Sequence, residues 1–165
     1  EQRSELKQSQ MPFDDATSRL DIGRVIEARL VAQWIDSDSA QRTAIQFPSV
    51  LGLVGIGGTI LSEPPTGADW IKLDIIDDDS EPFCFGGTSG MNRCTGLIQV
   101  MVFSPKQTGS KQVLTLGGLL KPIFNRYHAS GLKCEASNLR TIDGEKGWNR
   151  AVVQTPFTYF EEVTT

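Results

Sequence analysis

The sequence predicts an α+β fold: one two-layer domain in which a mixed, mostly antiparallel sheet of about five strands carries two main helices on one face. Three observations carry this expectation. Two segments place apolar residues at steps of three and four, which is one face of a helix. Five segments have strand composition or alternation, bounded by Gly, Pro, Ser and Asp clusters. Their order is helix, strand, strand, strand, helix, strand, strand, with no internal repeat and no linker. At 165 residues the chain suits one domain whose core needs no disulfide staples.

Residues 1–17, EQRSELKQSQMPFDDAT, are polar and broken by Pro12, so they read as an arm outside a domain formed by 18–165. The first helix follows, with Ile22, Val25, Ile26, Leu30 and Trp34 on one face. Ser18 is its expected N-cap, Asp21 sits in the first turn where a carboxylate meets the positive end of the helix dipole, and the cluster at 37–39 ends it. Strands are predicted at 43–50, interrupted by Pro48, and at 70–76, with the glycine-rich loop LGLVGIGGTILS between them. The acidic, glycine-rich passage 77–92 reads as a second loop. A third strand spans 94–103; its apolar residues fall on both faces, so it is expected at the centre of the sheet with both faces covered.

Ser104-Pro105 stops that strand, Gly109 turns the chain and Ser110 is the expected cap of a second helix running to about Tyr127. Val113, Leu116, Leu120, Ile123, Phe124 and Tyr127 share one face, and Pro122 predicts a kink or break near residue 121. Strands at 131–142 and 148–162 complete the chain. In the last, Ala151, Val153, Phe157 and Tyr159 alternate inward and Pro156 marks an edge or a bulge.

Composition narrows the function. A net charge of −4 does not suit a protein that grips duplex nucleic acid by its phosphates, although DNA could pass nearby without adhering. Cys84, Cys94 and Cys134 show neither a CxxC pair nor a His at ligand spacing, so a zinc site is not expected. Free thiols in a reducing cytoplasm are the first reading, one disulfide with a free Cys the alternative. No run approaches eighteen apolar residues and no signal-peptide core is seen, which predicts a soluble, cytoplasmic chain with no membrane partner.

The motifs that could carry chemistry fall short. SPKQTGSKQ at 104–112 lacks the leading glycine and the Lys-Ser/Thr order of a phosphate loop, and GLVGIGG at 52–58 is spaced GxxGxGG, not GxGxxG. No cofactor is therefore expected. Asp77, Asp78 and Asp79 with Glu81 lack the glycine and the bidentate Glu of a calcium loop, and read as a solvated loop or as a repulsive lining facing something anionic. His128 is the only histidine, placed at a helix end, and Cys94 lies on a strand expected to be buried. No base and nucleophile are paired, so no enzyme is expected.

A family resemblance adds to this reading. GRVIEARLVAQW, IQFPSV, PPTGADWIKLDII, RCTGLIQVMVFSPKQTGS with its following helix, and WNRAVVQTPFTYFE together resemble the tail terminator proteins of long-tailed bacteriophages over residues 20 to 162. The resemblance implies a structural virion protein at the top of the tail, assembled in the bacterial cytoplasm. Such proteins form a ring, commonly of six subunits, that caps the tail tube, stops its growth and offers a joining surface to a head-side connector or head-completion protein. DNA passes through the hole without sequence-specific binding, and the family has no catalytic residues. The arm and the insertion LGLVGIGGTILS depart from the compact pattern. Contacts with neighbouring subunits or with partners are expected from Pro12 and Phe13 of the arm, from Leu51, Leu53, Val54 and Ile56, and from Phe83 and Phe85; Asp77, Asp78 and Asp79 are the expected lining of the lumen. The alternatives are another connector or neck protein of different symmetry, or a small cytoplasmic enzyme or ligand-binding domain with a pocket between sheet and helices.

Overall fold

The computed structural model describes residues 18–86, 89–129 and 131–164, with side chains except at 84–86, 89 and 164. Helix α1 (Arg19–Gln33) is followed by β1 (Ala44–Gln46), β2 (Leu53–Val54), β3 (Ile60–Leu61), β4 (Trp70–Gly86) and β5 (Ser89–Pro105). A 3₁₀ turn at Lys106–Thr108 leads into α2 (Ser110–Phe124), and β6 (His128–Ala129), β7 (Leu132–Cys134), β8 (Asn138–Glu145) and β9 (Trp148–Thr164) complete the chain. All nine strands form one sheet in the order β3-β2-β1-β4-β5-β9-β7-β6, with β8 also on β9. Among the described residues only β1 and β4 run parallel.

This sheet corrects the expected one of about five strands with two helices on one face. Three differences account for the change. Strands β2, β3 and β6 are two residues each, too short to show an alternation. Residues 131–142 divide into β7 and β8, which pair with different stretches of β9. Residues 77–86 and 89–92 are not loop but continue β4 and β5. Both are 17 residues long, as is β9, or about 56 Å at the usual rise per residue.

The extension of β4 is tolerated because of where it lies. Strand β1 pairs with β4 only through Trp70, Ile71 and Lys72, so the rest of β4 is an edge. Edges are where charge, proline and bulges protect a sheet from unwanted pairing. This one carries Asp77, Asp78, Asp79, Glu81 and Pro82, with register shifts at Asp77/Asp79 and Pro82/Cys84. Pro156 is accommodated differently, inside a strand that is paired on both sides. Its carbonyl accepts from Glu135 N at 2.8 Å, so its nitrogen faces that same side, between the partners of β7 and β8. No hydrogen bond to β5 is lost there.

Both helices bury into one cluster with Ile71 and Leu73 of β4, Ile98, Val100 and Val102 of β5, and Ala151, Val153 and Phe157 of β9. Helix α1 contributes Ile22, Ile26, Leu30 and Trp34, and α2 contributes Val113, Leu116, Leu120, Ile123 and Phe124. Each such side chain, fully buried, is worth about 1.5–3 kcal/mol of transfer free energy. Trp34 Nε1 donates to Thr43 Oγ1 at 3.0 Å, which satisfies the indole inside the core.

The helix ends follow local chemistry. Ser18 Oγ accepts from Asp21 N at 3.2 Å, as an N-cap should. The expected cap at Ser110 is displaced by one residue: Gly109, at φ 72°, is the N-cap and Ser110 the first helical residue. Gly109 is suited to it because positive φ carries no penalty without a Cβ. Pro122 lies in the last turn of α2, which ends at Phe124 and not at Tyr127.

The opposite face of the sheet is packed at one end only. There Ala44, Leu53, Trp70 and Phe103 form a second cluster with Leu61, Met101 and Trp148. Trp70 stacks on Phe103 with ring centroids 3.9 Å apart and meets Trp148 edge-on at 6.0 Å. Farther along, the described residues cover the central strand β5 on one face alone, contrary to expectation.

Candidate functional site

Three surfaces and one cleft stand out from the fold. The first surface is the β2–β3 edge. Strand β3 pairs with β2 and ends the sheet, leaving its outer backbone groups unpaired among the described residues. Large apolar side chains flank it: Leu51 is 96% exposed, Ile56 64% and Ile60 57%. Gly52 fixes the loop that presents Leu51. Its φ is +90°, and a Cβ there would meet the Leu61 carbonyl oxygen at 2.4 Å, so no other residue fits the backbone path. Of the expected contact residues in this segment, Leu51 and Ile56 are exposed, Val54 is half-buried, and Leu53 belongs to the second apolar cluster.

The second surface is the ribbon made by the distal halves of β4, β5 and β9. Its uncovered face bears the cross-strand row Ile76, Leu97 and Pro156, paired in register. Phe83 is half exposed and meets Phe160 edge-on at 5.0 Å, beside the paired Arg93 and Glu81. The side chain of Phe85 lies outside the described residues, as do Pro12 and Phe13.

Strand geometry separates the three aspartates. Asp77 faces the helix layer, where Arg19 Nε donates to its carboxylate at 2.5 Å. Asp78 occupies the bulge, and Asp79 pairs with Thr95 on the uncovered face. Asp79 Oδ1 also accepts from Ser80 N at 2.8 Å. They do not form one acidic surface.

The third surface is the outer side of α2, where Leu114 and Leu119 are exposed and a Cβ at Gly118 would meet nothing within 4 Å. The cleft, about 470 Å³, lies between Arg42, Ala44, Ile56, Leu61, Asp69 and Thr108. Its carboxylate is already engaged: Asp69 accepts from Ser104 Oγ at 2.6 Å and from Gln112 Nε2 at 2.9 Å. These bonds tie the start of β4 to the end of β5 and to α2.

The residues that could act as nucleophiles or acids are dispersed. Cys94 and Cys134 are free and buried. Burial pushes the Cys134 thiol up to about 12, which keeps it protonated. Tyr159 is also raised, first by burial and then by its contact with Cys94. His128 is exposed on β6, opposite Lys133. Among the described residues no group of three or more His, Cys, Asp or Glu is placed to hold a metal, and no helix is long and apolar enough to cross a membrane.

No family model matches the chain, and no curated protein matches it. A solved chain whose name states no function is similar at a TM-score of 0.57 and 14% identity, over 87% of this chain and 96% of that one. That likeness establishes a shared fold and carries no activity with it.

Proposed function

We propose that this chain is a structural subunit of a phage tail terminator: a ring, of six copies in the family's common form, that caps the tail tube, stops its growth and receives the head-side connector. One observation carries the reading on the structural side. The open β3 edge, flanked by Leu51, Ile56 and Ile60, combines unpaired backbone with exposed apolar side chains, a combination that monomers avoid and assemblies use. A ring needs two unlike surfaces that meet head to tail, and an edge at one end of an open sheet provides one of them. The resemblance of residues 20 to 162 to terminators supplies the rest.

In this reading the protein is no enzyme and holds no cofactor. Its partners are its own copies, the tail-tube protein and a head-completion protein, with DNA passing through the hole. The acidic lining reduces to Asp78, because Asp77 is held by Arg19 and Asp79 points to the uncovered sheet face. Negative-stain imaging with native mass measurement, on the protein alone and mixed with its cognate tail tubes, tests the proposal. Rings, or caps at one tube end, are expected. A single subunit that ignores tubes would overturn it.

A further inference from the structure

We infer that neighbouring copies join by seating the outer face of α2 of one copy on the uncovered face of the β4–β5–β9 ribbon of the next. The inference rests on the ring reading and adds a second lateral contact to the one the β3 edge makes. The two surfaces lie on opposite sides of a two-layer domain, since α2 covers the face of the sheet opposite to the one bearing Ile76. A contact between them is necessarily head to tail, and repeating it propagates in one direction, as closing a ring demands.

The surfaces match in chemistry and in length. The outer stripe of α2 runs Lys111, Leu114, Gly118, Lys121 and Pro122, all exposed. These positions recur at steps of three and four, so they form one face. Neither lysine has a carboxylate within ion-pair distance among the described residues. The open space above Gly118 allows a partner backbone to approach the helix closely. On the ribbon, the apolar row Ile76, Leu97 and Pro156 is bracketed on the same face by Asp74 and Asp79, which pair with Gln99 and Thr95 of β5.

The charges are spaced alike. Lys111 and Lys121 are ten residues apart, or about 15 Å along a helix. Asp74 and Asp79 are four β5 positions apart, or about 13 Å along a strand. Each surface thus presents an apolar centre between two like charges of opposite sign, although the ribbon face also carries Lys72 paired with Asp74, Arg93 paired with Glu81, and Lys133 at the far end of the row that Asp79 starts. Asp74 has Lys72 of its own strand at 3.6 Å, a half-buried pair that a neighbour's lysine can join. Leu114 at 43% and Ile76 at 45% exposure would be the central apolar contacts.

Charge reversal tests the interface in the full chain. The variants K111E/K121E and D74K/D79K each set like charges against each other, and native mass measurement should show single subunits where the unaltered chain shows rings. Thermal melts within a few degrees of the unaltered chain establish that both fold. The two variants mixed, or all four substitutions in one chain, restore opposite charges at every contact, and rings should return. Rings that persist in both variants, or that fail to return in the mixture, would overturn the interface and leave the ring reading standing. An unaltered chain that forms neither rings alone nor caps on its cognate tubes would overturn the ring reading and this inference with it.

Discussion

Gly96 lies opposite Phe157 in the centre of the sheet, and the two residues together set a measurable stability effect. Phe157 is buried, and its ring fills the space that a side chain at 96 would take. A Cβ at Gly96 would stand 2.6 Å from Phe157 Cζ and 2.6 Å from the Ile76 carbonyl oxygen, both well inside contact distance. The second neighbour is backbone in β4, so neither can withdraw freely. Gly96→Ala gains about 0.4–1 kcal/mol from the unfolded chain, since Gly96 has no positive φ to preserve. Overpacking costs about 1–3 kcal/mol, so the expected net loss is about 1–2 kcal/mol. For a chain of this size that is a fall in Tm of about 2–8 °C. Urea denaturation should show a lower midpoint at unchanged slope. The same substitution in a Phe157→Leu background should cost less, because the ring is one of the two obstacles. A Gly96→Ala variant as stable as the parent, or an equal cost in both backgrounds, would refute the packing argument.

Replacing Leu51, Ile56 and Ile60 together by Glu should abolish ring formation while changing stability by less than about 1.5 kcal/mol, at about 0.5 kcal/mol for each exposed site; native mass and a thermal melt read the two effects. Cys134 is raised from 9.0 to about 12, so its burial contributes stability that is complete below pH 9 and is lost as pH rises toward 12. Stability measured across that window should fall, and Cys134→Ala should flatten part of the fall. Asp77→Asn removes the exposed pair with Arg19 and should cost less than about 1 kcal/mol, with the difference shrinking as salt is raised.

The legible parts of this fold were those with long, one-sided patterns. Helix α1 was readable from Ile22, Ile26, Leu30 and Trp34 with Ser18 ahead of them, and β9 from its inward Ala151, Val153, Phe157 and Tyr159. The distal half of β4 was not, because its residues are those of a loop. Asp77 to Asp79, Glu81 and Pro82 serve there as edge protection, and an edge is a property of the sheet rather than of the segment. Strands β2, β3 and β6 escaped because two residues carry no period. The apolar row across Ile76, Leu97 and Pro156 could not be read either, since the three come from separate strands and meet only through register. Leu51 and Ile56 were recognisable as an apolar loop tip, whereas Leu53 in the same stretch turns inward to Trp70 and Phe103. The acidic run suggested one surface, and strand alternation divides it.

The central claim, that copies of this chain cap a tail tube, is tested most directly by the length distribution of tubes polymerised from the cognate tail-tube protein with and without it. Added protein should arrest growth and leave a ring visible at one end of each arrested tube. Tubes that continue to lengthen, with bare ends, in the presence of excess protein would contradict the account.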